Sequence, residues 1–173
     1  MQPTYTSSRI LLPVRPWFIY LSLFAALLLN FLPTAHWPGI PDWVALVLCF
    51  WSVREPRHIG MGWAFLAGIT MDVADGAILG QHGLAYVLLT YGAAWLSRRI
   101  LWFPLMKQAL HVLPLLFLSQ VIQVVTRVLG GADFPGLGYF VAPLIAAALW
   151  IPATYVLLLP QYQPVDQDPN RPI

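Results

Sequence analysis

The chain has 173 residues, 59 % of them hydrophobic and 9 % charged, with nine Lys and Arg against seven Asp and Glu for a net charge of +2. A soluble globular domain carries roughly 25 % charged residues, so this composition excludes a wetted globular surface. The small net charge, with its basic residues in short clusters between apolar runs, argues against a nucleic-acid partner.

Apolar runs joined by short connections predict an all-α fold, a polytopic membrane bundle of about six transmembrane helices. Residues 1–16 read as a cytoplasmic N-terminal segment, 17–159 as the six-helix transmembrane domain, and 160–173 as a disordered, proline-rich cytoplasmic tail. The first span runs from Trp17 to Leu32. Arg9 and Arg15 ahead of it mimic a signal peptide, but no small-x-small cleavage site follows and further spans do, which predicts a retained helix. After Pro33, Pro38 and Pro41 comes a second stretch, Ile40 to Val53, short for a full crossing and open to a re-entrant reading. The third runs from Ile59 to about Ile78, the fourth from about Gly83 to Ser97, the fifth from about Gln108 to Thr126, and the sixth from about Gly138 to Leu159. Trp17, Trp37, Trp43, Trp95 and Trp102 flank these runs, as interfacial anchors do.

The basic residues set an orientation. With the N-terminus cytoplasmic, the inner segments hold Arg9, Arg15, Arg54, Arg57, Arg98, Arg99, Lys107 and Arg171, and the outer loops hold only Arg127. Such a bias predicts an even number of spans with both ends inside. Asp42, Asp75 and Asp133 fall in the outer loops and count for little under that rule.

The third span carries the least ordinary pattern. Gly60, Ala64, Gly68, Asp72, Gly76 and Gly80 recur every four residues, a spacing of small side chains that lets another helix approach closely. Packing inside the chain's own bundle and docking of a partner's transmembrane helix both fit it. Asp72 lies deep in this span, where an ionisable group is a functional-site hypothesis by default. On the fifth span Gln120, Gln123 and Arg127 share one helical face by their spacing of three and four. A buried polar cluster is therefore expected, with Asp72 near Gln120 or Gln123 and Asp75 nearer Arg127 and His82. It reads either as a hydrogen-bonded lock or as a proton or ion relay, and relays normally need more than one deep carboxylate. His36, His58, His82 and His111 are scattered without metal-ligand spacing, and no phosphate loop or G-x-S-x-G motif occurs. Catalytic residues, metal and cofactor are accordingly read as none. Cys49 sits inside an apolar run and reads as a small lipid- or core-facing residue.

The order of these features resembles the rod shape-determining protein MreD family of bacterial inner-membrane proteins. The resembling residues are Trp51 to Pro56 (W-S-V-R-E-P), then Gly60, Gly68 and Asp72, then Gly76 to Gly83 (G-A-I-L-G-Q-H-G), with L-G-x-x-x-L at Leu79 to Leu84. The resemblance implies a non-enzymatic, multi-pass scaffold subunit of the cell-wall elongation complex. It would act with the bitopic protein MreC, and through it with MreB, RodA and a class B penicillin-binding protein, among membrane lipid. The family's fold looks like the membrane substrate-binding subunits of energy-coupling-factor vitamin transporters, so such a subunit is the alternative. Those subunits commonly carry A-x-x-x-A in the first helix, where this chain has only adjacent Ala25 and Ala26.

Overall fold

A computed structural model describes residues 14–32 and 39–161. The N-terminal segment before residue 14, residues 33–38 with Pro33, Trp37 and Pro38, and the segment from residue 162 lie outside the described residues. Six α-helices follow in order: α1 (Pro16–Phe31), α2 (Trp43–Arg54), α3 (Met61–Ala74), α4 (Gln81–Leu101), α5 (Leu105–Leu129) and α6 (Ala142–Leu158). No strand occurs among the described residues. Short 3-10 turns, Leu137–Val141 and Leu159–Gln161, bracket α6. By length and composition, α5 and the stretch Leu137–Gln161 are long and apolar enough to cross a membrane, whereas α1, α2 and α3 are shorter apolar helices.

Local chemistry explains several boundaries. Pro16 opens α1 at a position where its fixed φ suits the helix and its missing N–H is not needed. Asp42 caps α2, accepting from the Ala45 N–H at 3.0 Å. Pro56 follows the end of α2, as expected where the residue before proline avoids helical backbone. Helix α3 stops at Ala74, four residues before its expected end near Ile78. Gly76 and Gly80 take φ of +60° and +96° in the α3–α4 turn, a left-handed conformation that glycine adopts without steric penalty.

Helix α2 is the axis of the bundle. Every residue from Val44 to Val53 is buried, and α1, α4, α5 and α6 pack around it. Its 12 residues span only roughly 18 Å. A helix buried on all sides is apolar on all sides. Cys49 is in this core. Trp51, fully buried, donates from Nε1 to Ser22 Oγ at 2.8 Å, and Phe50 packs between the Trp51 and Trp150 rings. Trp17, Trp95 and Trp102 lie on the exposed surface.

Candidate functional site

The polar groups concentrate at one end of the bundle, where α1, α3 and α5 finish and α2, α4 and α6 begin. Asp72, 1 % exposed, lies on the last turn of α3 and faces the start of α4. Its Oδ2 accepts from the Gly80 N–H at 2.8 Å and the Gly83 N–H at 3.4 Å. Its Oδ1 accepts from the His82 N–H at 2.8 Å and lies 2.8 Å from His82 Nδ1. The first N–H groups of a helix lack intrahelical partners and carry partial positive charge. Gly80, the capping residue of α4, has no side chain to satisfy them. Asp72 therefore acts as the N-cap of α4 from another helix, and His82 is held by the same carboxylate.

One turn before Asp72, Gly68 makes that approach possible. A Cβ built on Gly68 would lie 2.5 Å from both the Cα and the N of Gly83, so the two backbones touch where any other residue would hold them apart. Ala64, another turn back, is fully buried. Gly68 thus packs against this chain's own α4. The rest of the predicted stripe does not continue the face: Gly60 is the exposed N-cap of α3, Gly76 and Gly80 belong to the turn, and a Cβ on any of the three would meet nothing within 4 Å. The four-residue spacing joined helix positions to turn positions whose glycines answer a different need, backbone handedness.

A second carboxylate organises the other half of this end. Asp42 Oδ1 accepts from Asn30 Nδ2 at 3.0 Å as well as from the Ala45 N–H, and Oδ2 accepts from the Tyr86 hydroxyl at 2.7 Å and Gln123 Nε2 at 3.5 Å. Asn30 Oδ1 in turn accepts from the Trp43 N–H at 3.0 Å. Tyr139 donates to Gln123 Oε1 at 2.9 Å, and Gln120 donates to the Tyr139 carbonyl at 2.9 Å. One carboxylate thereby links α1, α2, α4 and α5, and the chain of amides extends it to the turn before α6.

The predicted polar residues do converge here, in different pairs from those expected. Gln123 reaches Asp42 and Gln120 reaches Tyr139; neither bonds Asp72, whose acceptor sites are occupied by the start of α4. His82 bonds Asp72 rather than Asp75. Arg127 donates from Nε to the Asp133 carbonyl at 3.1 Å. Asp75, His82, Gln120, Gln123 and Arg127 all line a cavity of about 500 Å³, together with Asn30, Asp42, Ser119 and Tyr139. Asp75 sits on its exposed rim, where partial desolvation raises its carboxyl pKa; His82 opposes that rise, and Asp42 and Asp72 add to it. Sequence reasoning missed Asn30, Asp42, Ser119, Tyr86 and Tyr139. Asp42 alone carried a readable signal, an aspartate immediately before an apolar run, which is a helix-start pattern.

Compared with known proteins, the family model described as rod shape-determining protein MreD matches residues 8–158. The Haemophilus influenzae (strain Rd) protein named rod shape-determining protein MreD is 34 % identical over 115 residues, covering 61 % of this chain and 67 % of that protein. No solved structure matches the chain.

Proposed function

This chain belongs to the rod shape-determining protein MreD family, and from that membership we propose that it is a multi-pass inner-membrane scaffold of the bacterial wall-elongation complex. That family is a shape-determining component and not a known enzyme family. In this reading the chain acts beside an MreC-like bitopic membrane protein and is linked through it to MreB, RodA and a class B penicillin-binding protein during peptidoglycan synthesis.

The observation that carries the reading is the family match across residues 8–158. The bonding pattern supports it: Asp42 and Asp72 each accept from four donors of the same bundle, an arrangement that fixes helices against one another. Both ends are proposed to lie in the cytoplasm, with the cavity opening outward. Arg54 ends α2 and Arg57 follows it before α3, and Arg98, Arg99 and Lys107 lie around the α4–α5 turn, at the helix ends opposite the cavity, as the positive-inside bias requires.

Depletion in a rod-shaped host tests the proposal. Round cells are the expected result, together with co-purification of a bitopic wall-complex protein with the tagged chain in mild detergent. Normal rods with unchanged wall insertion would overturn the assignment.

A further inference from the structure

The charges around the cavity between the helix ends balance at its rim and not in its interior. Its volume is about 500 Å³, within the range of roughly 300–1,000 Å³ typical of small-molecule sites. Asp75 and Arg127, opposite in sign, line it from exposed positions where solvent screens them. Asp42 is half-buried. Its four donors, Asn30, Ala45, Tyr86 and Gln123, are all neutral, so it keeps its negative charge. Neither Asp42 nor Asp75 forms an ion pair among the described residues. A carboxylate taken partly out of water is ordinarily paired, and its field in a low-dielectric wall favours a cation.

Two uncharged groups give that cation somewhere to bind. His82 is 7 % exposed and lines the cavity. Its Nδ1 lies 2.8 Å from Asp72 Oδ1. An ionised carboxylate only accepts, so Nδ1 carries the proton and the neutral ring keeps a lone pair on Nε2. Asp72 is not part of the cavity wall, so the ring edge turned into the cavity is the Nε2 edge. Nε2 has no hydrogen-bond partner among the described residues and is not closed off from solvent. Gln120, 9 % exposed, also lines the cavity. Its Nε2 donates to the Tyr139 carbonyl at 2.9 Å, which fixes the amide's orientation and leaves Oε1 without a donor. Both open atoms accept, and neither bears a charge.

We propose that this cavity binds a primary ammonium group, which donates to His82 Nε2 and Gln120 Oε1 and is drawn in by the charge of Asp42. An ammonium has three N–H donors and no acceptor, the complement of that wall. A bare metal ion fits less well, because no three of His, Cys, Asp and Glu converge as ligands among the described residues. In the orientation proposed above, the cavity opens toward the outer leaflet. The ammonium can then belong to a free amine or to the headgroup of phosphatidylethanolamine, whose phosphate suits Arg127 at the rim.

The test uses the purified full chain in phosphatidylcholine nanodiscs, whose headgroups carry no N–H. Binding of ethanolamine, choline and ethylene glycol is followed by saturation-transfer NMR at about pH 8, where an imidazole is neutral. Parallel discs contain phosphatidylethanolamine as a minor lipid, and native mass spectrometry reads the lipid that stays with the chain. Saturable binding of ethanolamine, or selective retention of phosphatidylethanolamine, is expected. Choline keeps the charge without N–H, ethylene glycol keeps donors without charge, and both should bind at least tenfold more weakly. Retained lipid marks the headgroup as the source, and ethanolamine binding without retained lipid marks a free amine.

Asp42→Asn should weaken binding tenfold or more while the chain stays folded. His82→Asn keeps a donor toward Asp72 and removes Nε2, for a loss of about three- to tenfold. Should that variant fail to fold, Gln120→Met removes the other acceptor with the same expected loss. Absence of both ethanolamine binding and lipid preference, equal binding of choline or ethylene glycol, or indifference to either substitution would overturn the site. The measurement involves no partner protein, so its failure is separable from failure of the scaffold reading.

Discussion

Asp72 and Asp42 are two aspartates at the same end of one bundle, each accepting from four donors, yet the donors differ in kind. Three of those meeting Asp72 are backbone N–H groups of α4, at Gly80, His82 and Gly83. Three of those meeting Asp42 are side chains, Asn30, Tyr86 and Gln123, drawn from three helices. Backbone donors cannot turn into acceptors. A tyrosine hydroxyl both donates and accepts, and a glutamine amide can flip. The α3–α4 junction is therefore a rigid lock, whereas the Asp42 network can readjust to a change at its centre, and it is the network that lines the cavity.

The largest effect belongs to the lock. Asp72→Leu leaves the α4 N-terminus and His82 without their acceptor, and each buried donor left unsatisfied typically costs about 1–3 kcal/mol. Most of the chain should fail to accumulate as a monodisperse species, as size-exclusion chromatography of membrane extracts would reveal. A yield equal to the native chain would mean that α4 is capped in some other way.

A matched pair sharpens the contrast. Asp72→Asn sets an amide NH₂ against backbone donors, and the resulting unsatisfied groups should cost about 1–3 kcal/mol. Asp42→Asn keeps a competent N-cap for α2 and lets Tyr86 and Gln123 reverse their bonds, for a loss within about 1 kcal/mol. Thermal midpoints of the two variants in one detergent check this order. Equal losses would erase the distinction between lock and network.

The sequence made some of this visible. The apolar runs marked all six helices within a few residues, because burial in a bundle or in lipid needs long uninterrupted apolar segments. Ala64, Gly68 and Asp72 were legible as one face because small residues four apart share one. Gly76 and Gly80 carried the same spacing past Ala74 by coincidence. Asp72's partner was not legible, since reasoning from side chains offers only side chains as partners, and the start of α4 presents backbone. Tyr86 and Tyr139 were invisible for another reason: each is an ordinary residue in its own segment, brought to Asp42 and Gln123 only by tertiary packing.

The central claim is that α3 packs by its small face against α4 of the same chain. Gly68→Leu tests it most directly, through two quantities: the amount of folded chain, and the amount of bitopic partner bound per folded chain. A Cβ at Gly68 already collides with Gly83 backbone, and overpacking of that kind costs about 3 kcal/mol or more where neither backbone can yield. The account predicts a steep loss of folded chain, with the surviving fraction still holding its partner. Full abundance of folded chain with the partner released would place α3 on an intermolecular surface and contradict it.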